Sequence, residues 1–131
     1  MTQDTSNIIR FSRDWWLLYQ HAWNEQSEFK HKLKKLGKVI FCLTNGIEIS
    51  VCLHWDDQGD IIEVDVIETI DDSLPIFSAP EENWEQFLNK EIGAAKAVMT
   101  GVIDYQGSFS IIMKYGRHFD YLADVAQIIN E

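Results

Sequence analysis

The sequence predicts an α+β fold: a mostly antiparallel sheet of about five strands with helices covering one face. Three observations predict it. Ile47, Ile49, Val51, Leu53 and Trp55 alternate with Glu48, Ser50, Cys52 and His54, the period-two pattern of a half-buried strand. Apolar positions recur at helical spacing before and after this stretch, and Ser12, Ser27 and Ser78 stand where N-caps belong. The order is helices, an antiparallel meander, helices, one strand and a helix, which segregates the helices from the sheet.

Residues 1–11 read as a flexible, largely polar N-terminus, and residues 12–131 as one domain. Ser12 caps a helix running to about Glu25, with Trp15, Leu18, Tyr19 and Ala22 on one face. Trp16 and Trp23 fall elsewhere on its surface, so this helix is apolar on more than one side. Ser27 caps a short second helix lined by Phe29, Leu33 and Leu36, and Gly37 suits the C′ position.

Lys38–Leu43 and Ile47–Trp55 then read as strands joined at Thr44-Asn45-Gly46. A two-residue Asn-Gly loop would place Ile49 and Val51 on the face of Ile40 and Cys42. A three-residue loop with Gly46 left-handed would place them with Val39, Phe41 and Leu43. The second gathers the larger side chains and is preferred. Either register leaves Cys42 and Cys52 out of opposition. A disulfide needs Cα atoms within ~7 Å, so both read as reduced, small hydrophobes.

Asp56–Asp60 reads as a turn and Ile61–Ile70 as a third strand, with Ile62, Val64 and Val66 on one face. Ile76 and Phe77 form a short strand. Ser78 and Glu81 have capping-box spacing, and Pro80 falls in the first turn of a helix carrying Trp84, Phe87 and Leu88. Glu91–Thr100 is a small-residue helix holding Ala94, Ala95, Ala97, Val98 and Met99. Gly101 stops it, Val102–Gln106 is a strand, and Gly107 turns the chain into a helical region from Ser108, interrupted at Gly116. Phe119, Leu122, Val125, Ala126 and Ile129 make a last amphipathic helix.

Composition narrows the function. The 131 residues are 46% hydrophobic and 12% aromatic, a globular composition. Five Trp and seven Phe either fill the core or wall a cavity for a large apolar ligand. The net charge of −10 argues against nucleic acid, whose affinity rests on neutralising phosphates, and against general adhesion to anionic membranes. No stretch approaches the ~20 apolar residues of a spanning helix, so stable membrane insertion is not expected. The N-terminal residues lack the basic-then-apolar order of a secretion signal, and the cytoplasm is the default location.

No catalytic pattern emerges. His21, His31, His54 and His118 lack metal-ligand spacing, and no Gly-x-Ser-x-Gly elbow is present. Neither cysteine has a basic neighbour in sequence or a helix N-terminus to activate it. The carboxylate pairs Asp56/Asp57, Glu63/Asp65, Asp71/Asp72 and Glu81/Glu82 fall in turns, on a strand's polar face or at a helix start, where water or the helix dipole holds them ionised. Gly101 and Gly107 bracket a strand instead of opening a helix, unlike a dinucleotide fingerprint. The protein thus reads as a non-enzyme without metal or cofactor. A basic island, Lys30, Lys32, Lys34, Lys35 and Lys38, reads either as a solvated face or as a dock for an anionic group.

The run from Ser78 to Met113 carries Trp84 and Leu88, then Ala97, then Gly101 and Gly107 flanking Val102–Gln106. It resembles the C-terminal half of the sterol carrier protein type 2 family, small α/β lipid-binding domains. Trp23-Asn24 ahead of Phe29, followed by Val39–Leu43, extends the resemblance over residues 12–129. The resemblance implies an apolar tunnel between sheet and helices. The expected wall is Phe41, Val51, Leu53, Val64 and Val66 from the sheet. Trp84, Phe87, Leu88, Val98, Met99, Ile111, Ile112 and Met113 come from the helices, and Ala94, Ala95 and Ala97 leave volume. The expected ligand is a fatty acyl chain, an acyl-CoA, a sterol or an isoprenoid, bound without chemistry. The alternative is a protein-interaction or dimerisation module with a filled core, meeting its partner through Trp15, Trp16 and Trp23.

Overall fold

A computed structural model describes residues 8–129. Its elements are α1 (Arg13–Asn24), β1 (Gly37–Leu43), β2 (Ser50–Trp55), β3 (Ile61–Val66), β4 (Ile76–Ala79), α2 (Glu81–Leu88), α3 (Ala94–Met99), β5 (Asp104–Gln106), α4 (Phe109–Tyr115) and α5 (Asp120–Ile129). Single turns of 3-10 helix occupy Lys30–Leu33 and Gly116–His118. The sheet order is β3-β2-β1-β4-β5, antiparallel except for the β1–β4 pair.

The preferred face of the β1–β2 hairpin is the one observed: Val39 opposes Leu53 and Phe41 opposes Val51. The loop is longer than the three residues expected. Leu43 N–H donates to Ile49 O at 2.8 Å, leaving Thr44–Glu48 outside the ladder, with Gly46 and Glu48 at positive φ. Cys42 and Cys52 are free thiols.

The extra loop length has a purpose. Ser78, expected to cap α2, instead lies in β4 between Cys42 and Asp104. Pro80 takes the N-cap position without a side-chain bond. Asn45 supplies the cap from the hairpin: its Oδ1 accepts the Glu81 N–H at 2.7 Å, and its Nδ2 donates to Glu82 Oε2 at 3.2 Å. Glu81 Oε2 in turn accepts the Ile47 N–H at 3.2 Å. Asn45→Ala should therefore lower stability by about 1 kcal/mol, the usual cost of a lost cap. Urea denaturation reads this directly, and an unchanged midpoint would count against the long-range cap.

Other boundaries shift for tertiary reasons. The helix expected after Ser27 is reduced to the Lys30–Leu33 turn, after which Lys35 adopts positive φ and donates its N–H to Asp56 O at 2.8 Å. β3 ends at Val66 instead of Ile70, because Ile67, Ile70 and Leu74 fold over the far face of the sheet to cover Ile40, Cys52 and Ile76. A bulge opposite His54/Trp55 turns Ile61 inward and leaves Ile62 exposed, reversing the predicted phase at the start of that strand. α3 begins only at Ala94, whose N–H donates to Asp120 Oδ1 at 2.7 Å. β5 is shortened to Asp104–Gln106.

The main core lies between the helices and the sheet face bearing Val39, Phe41, Leu43, Val51, Leu53 and Phe77. The expected flexible N-terminus needs correction at its end. Phe11 is completely buried and Ile8 packs against the core, while residues 1–7 lie outside the described residues.

The tryptophans of α1 also need correction. Trp15, Trp16 and Trp23 are all buried, because α1 packs against both β3 and α5. Trp16 stacks on Phe41 at 5.9 Å, and Trp23 meets Trp55 edge-on at 6.0 Å. An α1 with two apolar sides is a helix held between two layers, and it exposes no tryptophan patch for a partner.

Candidate ligand-binding site

A cavity of about 240 Å³ lies between the sheet and the helices. The sheet contributes Phe41 and Phe77, whose rings stack at 5.8 Å. α2 contributes Trp84 and Phe87. The Trp84 ring meets Phe41 edge-on at 5.9 Å, and its indole N–H donates to Cys42 O at 2.9 Å. A large aromatic is thereby fixed in orientation with its polar edge satisfied.

α3 supplies Ala94, Ala95, Val98 and Met99. Small side chains at two of these positions keep the helix from filling the space above Phe77. Ile103, Ile112 and Gly116 continue the wall, and Phe119 and Leu122 close it near α5. Arg117 stands at the rim, exposed to solvent, and is the one charged residue on this wall.

A second void of about 20 Å³ lies deeper, against α1. Phe41, Trp84, Phe87 and Leu122 border both spaces, so four side chains separate them. Trp16 lines the inner void, and its indole N–H is buried without an acceptor among the described residues. Tyr19, also on that wall, donates its hydroxyl to Leu122 O at 2.7 Å. Burial, with a smaller contribution from Asp124, pushes its phenol well above the ordinary range and keeps it neutral.

The structure separates the expected wall residues into groups. Phe41, Trp84, Phe87, Val98, Met99 and Ile112 border the larger cavity. Leu53 and Leu88 border the inner void. Val51 is buried in the sheet core, while Val64 is half-buried and Val66 exposed on the edge strand β3, away from both spaces. Met113 is also turned outward, and Ile111 is half-buried off the cavity wall. Successive helical residues differ by about 100°, so a helix that points Ile112 at the cavity cannot also point Met113 there. Phe77, Ile103, Gly116, Arg117, Phe119 and Leu122 were not among the expected wall residues. Phe119 and Leu122 carry a readable helical period. Phe77 is placed only by the parallel pairing of β4 with β1, which no local pattern encodes.

Beside the rim, His118 stacks on Tyr121. Partial burial, and then the positive charges of Lys32 and Arg117, hold its imidazole below the usual histidine range. Among the described residues no three His, Cys, Asp or Glu side chains converge as a metal cluster. No described helix is long and apolar enough to cross a membrane.

No family model matches the sequence, and no curated protein matches it significantly. Solved structures do match in three dimensions. A crystal structure of sterol carrier protein 2 superposes with a TM-score of 0.78 at 16% identity, covering 91% of this chain and 98% of that one. A conserved hypothetical protein from Thermus thermophilus, solved in solution and described as possibly a sterol carrier protein, gives 0.76 at 16% identity over 94% of this chain and 91% of its own. A ubiquinone synthesis protein, UbiJ-SCP2, gives 0.55 at 14% identity over 86% and 87%. The chain therefore has the sterol carrier protein 2 fold.

Proposed function

We propose that the protein holds a lipid-like molecule in the cavity beneath α3 and α4, without transforming it. The observation that carries this reading is the cavity itself, a space of about 240 Å³ whose wall is apolar except for Arg117 at the rim. That wall includes no nucleophile and no general acid or base, so it offers desolvation and no reaction. Burial of apolar ligand surface contributes ~25 cal/mol per Å².

Size narrows the ligand class. The cavity exceeds the ~150 Å³ void that stays dry and takes up benzene. It falls below the ~300–1,000 Å³ of sites that enclose drug-sized molecules. A flexible fatty acyl or isoprenoid chain can place one segment here and thread further inward when Phe87 and its neighbours rotate. A rigid sterol ring system lacks that freedom. The buried Trp15, Trp16 and Trp23 leave the dimerisation alternative without the surface it required. We place this binding in the cytoplasm, where Cys42 and Cys52 stay reduced.

Native mass spectrometry of freshly purified protein, followed by organic extraction, tests the reading. The expected result is an adduct that leaves on extraction and has the mass of a single-chain lipid. A clean protein mass, unchanged after incubation with fatty acids and acyl-CoA, would sink it.

A further inference from the structure

We propose that the outer edge of β3 takes up an extended, basic segment of a partner protein as an added strand. β3 ends the sheet, and among the described residues no strand pairs with its outer side. The Ile67 N–H donates to Ser50 O at 3.0 Å, and the register runs on through Cys52↔Asp65 and His54↔Glu63. Bonded and non-bonded pairs alternate along an antiparallel ladder. Glu63 and Asp65 therefore bond to β2 through their backbones, and Val64 and Val66 turn their N–H and C=O groups outward. α1 covers this edge only at its start, where the Gln20 and Asn24 side chains hold the Ile61 backbone at 2.7 to 2.9 Å. The opposite edge strand, β5, has only three residues, and shortness itself protects an edge from added strands. β3 has six residues and neither of the residues that commonly blunt an edge, proline and lysine. Ile62 and Val66 on it are 53% and 39% exposed. An added strand would draw affinity from the main chain and specificity from alternate side chains.

Charge identifies the occupant. Residues 56–75 carry eight of the chain's twenty-one acids and no Lys, Arg or His. Glu63 and Asp65, on β3 itself, are exposed and form no ion pair among the described residues. They alternate with Val64 and Val66, so a strand laid alongside meets acids on one face of the sheet and valines on the other. A second copy fits badly. Paired antiparallel about Val64, its Asp65 would oppose Glu63, and like charges directly opposed across a pair destabilise it. A segment alternating Lys or Arg with apolar residues matches both faces, and the surrounding acidity speeds its encounter. No residue of β3 borders the cavity, so this inference goes beyond the ligand reading and stands whether or not a lipid is bound.

Fluorescence anisotropy with a labelled synthetic peptide of alternating Lys and Val tests it. That peptide should bind, and one of alternating Glu and Val should not. N-methylation of every valine keeps the charge and removes main-chain donors, so affinity should fall at least about tenfold. Equal binding of the methylated and unmethylated peptides would reduce the interaction to charge and overturn the proposal, as would no binding of either. V64P removes an outward N–H that the ladder does not use, a position where an edge strand accepts proline. It should remain folded by urea titration and lose the peptide. Hydrogen exchange on the unsubstituted protein reads the same contact without a variant: the Val64 and Val66 amides should slow when the peptide binds. Protection confined to other parts of the chain would sink the assignment to β3. A dimer by light scattering that V64P converts to monomer would do the same, because a second copy would then be the occupant.

Discussion

Trp23→Ala should remove about 3–5 kcal/mol of stability, the cost of deleting a large buried aromatic. Trp23 is completely buried and contacts three parts of the chain at once. Its ring meets Trp55 of β2 edge-on at 6.0 Å and Phe29 at 5.5 Å. Its indole N–H donates to Gly59 O at 2.7 Å in the turn between β2 and β3. Asn24 reinforces the same junction by exchanging two hydrogen bonds with the Ile61 backbone, at 2.7 and 2.9 Å. The substitution opens a cavity and leaves a buried carbonyl unpaired, and both effects destabilise. Since proteins of this size retain only ~5–15 kcal/mol in total, the variant should unfold at much lower urea concentration. A loss below ~1 kcal/mol would mean that this junction is not part of the cooperative core. Trp23→Phe should fall between the two, because it keeps most of the packing and loses the hydrogen bond.

Ala95→Trp should abolish ligand uptake, with affinity falling at least about tenfold, while stability changes by no more than ~0.5 kcal/mol. Ala95 borders the cavity yet is itself exposed. An indole there can turn into the mouth without displacing anything from the core. The indole is among the bulkiest of side chains, and turned inward it obstructs the mouth of a space of only about 240 Å³. Binding of a fluorescent fatty acid, measured beside a urea titration, separates occlusion from unfolding. Undiminished uptake by a folded variant would show that the ligand enters elsewhere and would move the site from this cavity.

Periodicity made much of the fold readable. The alternation through Val51, Leu53 and Trp55 marks β2, and the helical repeat through Phe119, Leu122 and Val125 marks α5, because each pattern reports one buried face of one element. The hairpin phase was also readable, since only one phase unites Val39, Phe41 and Val51. Boundaries were less so. Ser78 carries a cap signal in sequence but belongs to β4, and the cap comes from Asn45 in the distant β1–β2 hairpin. The site was legible where it rests on helix faces, at Trp84, Phe87 and Val98. It was illegible where two elements distant in sequence meet, as at Phe77 and Ile103.

The sequence by itself determined the layered α+β architecture, the absence of a catalytic motif, and the surplus of aromatic and small apolar residues near one helical layer. These follow from local period and residue chemistry, which short windows contain. Only the tertiary structure decided whether that surplus fills space or encloses it. The aromatics of α1 are consumed in the core, whereas Ala94 and Ala95 hold α3 over Phe77 with a space between. Whether side chains meet or leave a gap depends on the distance between elements, and that distance is set by contacts across the whole chain that no single segment records.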